Sequence, residues 1–118
     1  MGNQHLLFVF RSSPYGSSRA REGLDALLAA AVFDQRVSAL FMGDGVFQLC
    51  SEQCPIDRRN QHKMLLSLEL YDVDQLYFSS SALASRDIAP TDIRLPGTAL
   101  SDAEITNLLT TADQVLTF

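Results

Sequence analysis

Thiols, imidazoles and cations are scarce in this chain, and the scarcity narrows its chemistry before any element is placed. Two cysteines and two histidines stand among 118 residues, with nine lysines and arginines against fourteen acids and a formal net charge of −5. Gripping a nucleic acid requires lysine and arginine to neutralise phosphates. Lys63 and eight scattered arginines do not supply that, so no direct nucleic-acid contact is expected. No apolar run approaches the about 20 residues that a membrane-spanning helix needs. The polar residues 1–5 lead into only five apolar ones, Leu6-Leu7-Phe8-Val9-Phe10, without a basic flank, so no secretory signal is read there. The expected location is the cytoplasm, where thiols stay reduced and Cys50 and Cys54 would form no structural disulfide.

What is present describes one compact domain over residues 1–118. The chain is 47% hydrophobic and 19% charged, without low-complexity runs, which is enough apolar surface to offset the entropy of ordering it. Residues 6–10 are apolar on both faces, as in an interior strand of a parallel sheet covered by helices. From 19 to 33, Leu24, Leu27, Leu28, Ala31 and Val32 recur at helical spacing and leave Arg21, Glu22 and Asp25 toward solvent. A second strand is read over 37–42. It runs into Gly43-Asp44-Gly45, a sharp turn in which Asp44 is placed to cap a short helix beginning at Val46.

Beyond that turn, residues 51–55 read as a loop ending at Pro55, and Asp57 as the cap of a helix to about Leu70, with Gln61, Met64, Leu65 and Leu68 on one face. Leu76-Tyr77-Phe78 is a third strand, followed by three serines and a short helix over 82–86. A short fourth strand is assigned to 93–95, ahead of Pro96-Gly97. Ser101 and Glu104 form a capping box for a helix that buries Ile105, Leu108, Leu109 and Ala112. Residues 115–118 close the chain as a strand. Strands alternating with helices predict an α/β fold, a three-layer α/β/α sandwich with a mostly parallel five-stranded sheet and right-handed crossovers.

No catalytic constellation survives comparison with its plainer reading. Cys50 and Cys54 are spaced Cys-x-x-x-Cys, which could serve a redox pair, half a metal site or a persulfide carrier. Zinc requires about four ligands, His5 and His62 complete no such set, and the frame that lowers a thiol pKa is absent. The loop Arg11-Ser12-Ser13-Pro14-Tyr15-Gly16-Ser17-Ser18 could cradle a phosphate or a flavin, but it lacks a phosphate-binding signature and joins strand to helix in the ordinary way. Ser79-Ser80-Ser81 sits where α/β hydrolases hold a nucleophile, without the Gly-x-Ser-x-Gly elbow or a placed histidine; helix capping is the better reading. Tyr15, Phe47 and Tyr77 suit either core or interface. No metal or cofactor is expected. A small acidic domain without chemistry of its own is best understood as part of an assembly.

Four blocks sharpen this. Phe8-Val9-Phe10, Arg21-Glu22-Gly23-Leu24-Asp25-Ala26-Leu27-Leu28-Ala29, Asp44-Gly45-Val46-Phe47-Gln48-Leu49 and Leu70-Tyr71-Asp72-Val73 together resemble the TusC (DsrF-like) family of the DsrE/DsrF/DsrH sulfur-relay superfamily, in the same order over nearly the whole chain. The resemblance implies a subunit of a TusBCD heterohexamer, beside TusB-like and TusD-like chains. In that relay, persulfide sulfur passes from a TusA-like carrier through the TusD subunit to a TusE-like one, and on to 2-thiolation of the tRNA wobble uridine. The reactive cysteine of the relay belongs to the TusD chain, in a loop after a central strand. The corresponding position here is Ser79, and a hydroxyl cannot hold sulfane sulfur as a thiolate does. The resemblance thus implies a non-catalytic subunit, with Tyr15, Arg21, Glu22, Asp44, Phe47 and Gln48 as candidate interface residues. A stand-alone carrier using Cys50 or Cys54 and a phosphate or flavin module are the alternatives. Expressed alone, the chain could self-associate through surface meant for its partners.

Overall fold

The structure is a computed structural model, and it describes residues 5–12, 19–32, 36–49, 75–89 and 97–118. Its elements are β1 (His5–Phe10), α1 (Arg19–Val32), β2 (Arg36–Phe41), a 3-10 helix (Gly43–Leu49), β3 (Leu76–Ser79), α2 (Ser80–Ser85), β4 (Thr98–Leu100), α3 (Asp102–Thr111) and β5 (Gln114–Thr117). The five strands form one sheet in the order β4-β3-β2-β1-β5, and every neighbouring pair is parallel. The predicted α/β/α sandwich is therefore present, with a sheet that is parallel throughout.

The two faces of β1 explain the layers. Phe8 and Phe10 point to one side, where they pack with Leu24 and Leu27 of α1, Ala82 and Leu83 of α2, and Val37, Ala39 and Phe41 of β2. Leu7 and Val9 point to the other, against Leu40 of β2, Leu100 of β4 and Ile105 of α3. Phe10, Leu7, Leu24, Leu27, Leu40 and Phe41 have no exposed surface, which is why residues 6–10 read as an unbroken apolar run and 37–41 as one interrupted only by the buried Ser38. The sheet grows from β1 through β4 in one direction and then returns to β5. Right-handed crossovers consequently place α1 and α2 on one face and α3 on the other.

The chain end is built into this core. Phe118 stacks beside Phe8 and Phe10, at ring-centroid distances of 6.2 and 6.1 Å. Its carbonyl accepts from the backbone N–H groups of Arg11 and Ser12 at 2.8 and 3.2 Å.

Several boundaries differ from the sequence reading. The short helix after β2 begins at Gly43, so Asp44 lies inside its first turn and does not cap it. α2 starts two residues before the expected Ala82, because Ser79 caps it. Val32 is 60% exposed: it sits about 80° around the helix from the stripe running through Leu24 and Ala31, at about 100° per residue. The edge strand described in the last third is β4 at Thr98–Leu100, after Pro96-Gly97. The expected strand over 93–95, the loop over 51–55 and the helix from Asp57 lie outside the described residues.

Candidate functional site

In a parallel sheet, every strand delivers its carboxyl end, and the start of the following helix, to the same edge. That edge gathers most of the residues marked by the sequence. Ser79 ends β3 with 3% of its surface exposed and extended backbone, and its Oγ accepts from the Ala82 N–H at 3.1 Å. Ser79 Oγ also lies 3.1 Å from Ser81 Oγ, and Ser81 donates to Asp102 Oδ1 at 2.9 Å. Ser80 donates to the Leu100 carbonyl at 3.0 Å. Ser80 and Ser81 thus fasten the β3–α2 corner to the β4–α3 corner, while Ser79 closes the start of α2.

Among the described residues the corner meets one carboxylate, the exposed Asp102 bonded to Ser81, and no histidine. His5, the one histidine among the described residues, stands at the opposite, amino end of β1. A six-residue strand spans about 20 Å, whereas a general base must lie within about 3 Å of the proton it takes. Ser79 Oγ is moreover committed to Ala82 and Ser81. The geometry at Ser79 is that of a helix cap, and no histidine–carboxylate pair backs any of the three hydroxyls among the described residues. No group of three or more metal-ligating side chains occurs among them either.

Asp44 borders the far end of α2. Arg86, at the C-cap, directs Nε and Nη2 onto Asp44 Oδ1 at 3.1 and 3.0 Å, while its Nη1 donates to the Ala82 carbonyl at 3.3 Å and to Ser85 Oγ at 3.0 Å. One guanidinium therefore closes α2 and ties it to the helix after β2. With Asp44 59% exposed, the pair is solvent-screened and serves position more than stability. Arg86 was not singled out from sequence: its partner is 42 residues away, and nothing local announces that distance.

The two glycines of the resemblance blocks act at the same edge. A Cβ on Gly23 would fall 2.6 Å from the Phe118 ring and 2.7 Å from the Phe10 ring, and a Cβ on Gly45 would collide with the Phe10 carbonyl. The helix after β2 packs there because of that second contact, with Gly45 N–H donating to the Met42 carbonyl at 2.9 Å. Phe47 is half-buried, while Arg21 and Glu22 are exposed on the first turn of α1. Tyr15, Cys50 and Cys54 lie outside the described residues, as does the Gln48 side chain; of the Arg11-to-Ser18 loop only Arg11 and Ser12 are described. The capping box at α3 is present, with Ser101 N–H on Glu104 Oε1 at 2.9 Å and Glu104 N–H on Ser101 Oγ at 3.3 Å. The Ser101 backbone N–H foremost, and the Ser101 hydroxyl with it, hold the Glu104 carboxyl below its ordinary pKa.

The fold is shared with the solved ychN protein from E. coli. The TM-score is 0.84 at 23% identity, covering 98% of this chain and 99% of that one. The chain belongs to the DsrE/DsrF-like family, whose profile matches residues 4–118. Within the family its similarity is to the TusC branch. It is 39% identical over 115 residues to the protein named TusC homolog of Vibrio parahaemolyticus, covering 96% of this chain and 98% of that one. It is 40% identical over 117 residues to the TusC homolog of Pasteurella multocida, with 96% and 98% covered. To the protein named TusC of Klebsiella pneumoniae it is 40% identical over 89 residues, 74% of this chain and 75% of that one.

Proposed function

We propose that this chain is a non-catalytic subunit of a TusBCD-type sulfur-transfer complex, in which it stands beside TusB-like and TusD-like chains and a neighbour carries the persulfide. The wider reading is that the complex accepts sulfur from a TusA-like carrier, hands it to a TusE-like one, and so feeds 2-thiolation of the tRNA wobble uridine in the cytoplasm. The observation that carries the proposal is Ser79. On this reading it occupies the position where the relay holds its cysteine, and it is buried and hydrogen-bonded as a helix cap. An alcohol there stays protonated at neutral pH and forms no counterpart of a persulfide, so the corner can shape a site but not load it.

Two measurements test this. Co-expression with TusB-like and TusD-like chains of the same organism, followed by size exclusion, is expected to give one co-eluting assembly. Treating that assembly with a cysteine desulfurase and a TusA-like donor is expected to leave this chain's intact mass unchanged while the TusD-like chain gains sulfur. Separate elution overturns the subunit assignment. Added sulfur mapped to Cys50 or Cys54 overturns the non-catalytic one and makes the chain a carrier.

A further inference from the structure

α3 is the one helix described on its face of the sheet, and it turns a broad surface outward. Ile105 is buried and Leu108, Leu109 and Ala112 are partly covered, whereas Ala103, Thr106, Asn107, Thr110 and Thr111 are exposed along one stripe. No charge falls within that stripe over two full turns, and its polar groups are short and neutral. Its hydroxyls are already engaged. Thr106 donates to the Asp102 carbonyl at 3.1 Å, Thr110 to the Thr106 carbonyl at 2.8 Å and Thr111 to the Leu108 carbonyl at 3.2 Å. Covering them would therefore strand no hydroxyl donor, and the polar group left for an occupant to satisfy is the Asn107 amide. On the same side of the sheet, Val115 of the edge strand β5, in register with Leu7, is 43% exposed.

Charge is confined to the ends of this surface, and it has one sign. Asp102 and Glu104 stand at the start of α3 and Asp113 just beyond its end, all exposed, and the last turn has no basic residue. At about 1.5 Å per residue the two acidic ends lie about 16 Å apart. Antiparallel pairing with a second copy would set Asp102 and Glu104 against the other's Asp113; parallel pairing would set like acids together. Either arrangement brings like charges close in a chain already at −5.

We propose that the outer face of α3, extended by Val115, is the docking surface for a different polypeptide, whose uncharged strip is flanked by lysine or arginine side chains matching the two acidic ends. This rests on the assembly proposed above, and it makes a TusB-like or TusD-like chain the occupant. Hydrogen exchange on the free chain and on the co-purified assembly tests it. Amides over 103–111 are expected to exchange about tenfold more slowly, or slower still, in the assembly. Asn107→Arg, an exposed change that keeps helix propensity, is expected to weaken assembly about tenfold or more while the variant alone melts as the parent does. An intact assembly with α3 exchange unchanged, or one that Asn107→Arg leaves at full affinity, overturns the surface while the subunit reading stands. Concentration-dependent protection of α3 in the isolated chain assigns the face to a second copy and overturns the choice of partner. Failure of any assembly to form removes the subunit reading and this inference with it.

Discussion

At the scale of single residues, the carboxyl edge is shaped by what is missing from two side chains. Gly45 lets the helix after β2 settle onto the end of β1, where any Cβ would meet the Phe10 carbonyl, a backbone atom that cannot turn aside. Gly43 has a different reason: its φ of +55° lies in the left-handed region, and a Cβ there would find its nearest neighbour, the Arg11 carbonyl, at 3.9 Å. The two should separate by experiment. Gly43→Ala is expected to cost the roughly 1–2 kcal/mol of left-handed backbone. Gly45→Ala adds overpacking against a fixed atom and is expected to cost about 3 kcal/mol, with the helix displaced. Urea midpoints of both variants check the order, and equal midpoints would refute the packing account. The sequence pattern marked these glycines as a turn, which suits Gly43. The contact at Gly45 joins residues 35 positions apart and leaves no local trace.

At the scale of elements, success and failure divide by the range of the deciding interaction. The capping box at α3 was legible because Ser101 and Glu104 are three residues apart and satisfy each other's backbone donors. β1 and β2 were legible because, past their first residues His5 and Arg36, burial on both faces leaves no polar residue but Ser38 to alternate with. Asp44, by contrast, has the composition of a helix cap, but the Gly43 backbone starts the helix earlier and Arg86 claims the carboxylate. Strand β4 has only three residues and depends on its pairing with Tyr77, Phe78 and Ser79 rather than on its own pattern. Ser101→Ala removes one side of the box and is expected to destabilise the protein by about 1 kcal/mol. Hydrogen exchange should show the loss in the first turn of α3, while α2, capped independently by Ser79, keeps its protection. Equal loss in both helices would mean that the two corners behave as one unit through the Ser81–Asp102 bond.

At the scale of the whole molecule, the sheet has two unlike edges. The carboxyl edge bears the serine corner and the acidic helix start; the amino edge is fastened around His5. Its ring Nε2 lies 2.8 Å from Ser38 Oγ on β2, and Ser38 in turn donates to Gln75 Oε1 at 2.8 Å, just ahead of β3. Its backbone N–H donates to Asp113 Oδ2 at 2.6 Å, and its carbonyl accepts from the Asp113 N–H at 2.9 Å, ahead of β5. The His5 ring thus joins β1 to β2 and, through Ser38, to the residue ahead of β3, while its backbone holds the residue ahead of β5. Burial, with Arg36 adding to it, lowers the His5 pKa below the ordinary 6.5, and Asp113 opposes this only in part. The sign follows by linkage. Above pH 6.5 the imidazole is neutral in folded and unfolded chains alike, and its contribution is fully present. As pH falls through 6.5 toward the folded value, the unfolded chain takes up a proton that the folded one refuses, and stability is lost. Urea denaturation at pH 8 and pH 5 is therefore expected to show a smaller unfolding free energy at the lower pH. His5→Gln keeps an N–H for Ser38 but cannot titrate, so the difference between the two pH values should shrink. If the variant keeps the parent's full difference, the acid sensitivity arises elsewhere and His5 serves only to bind the strands.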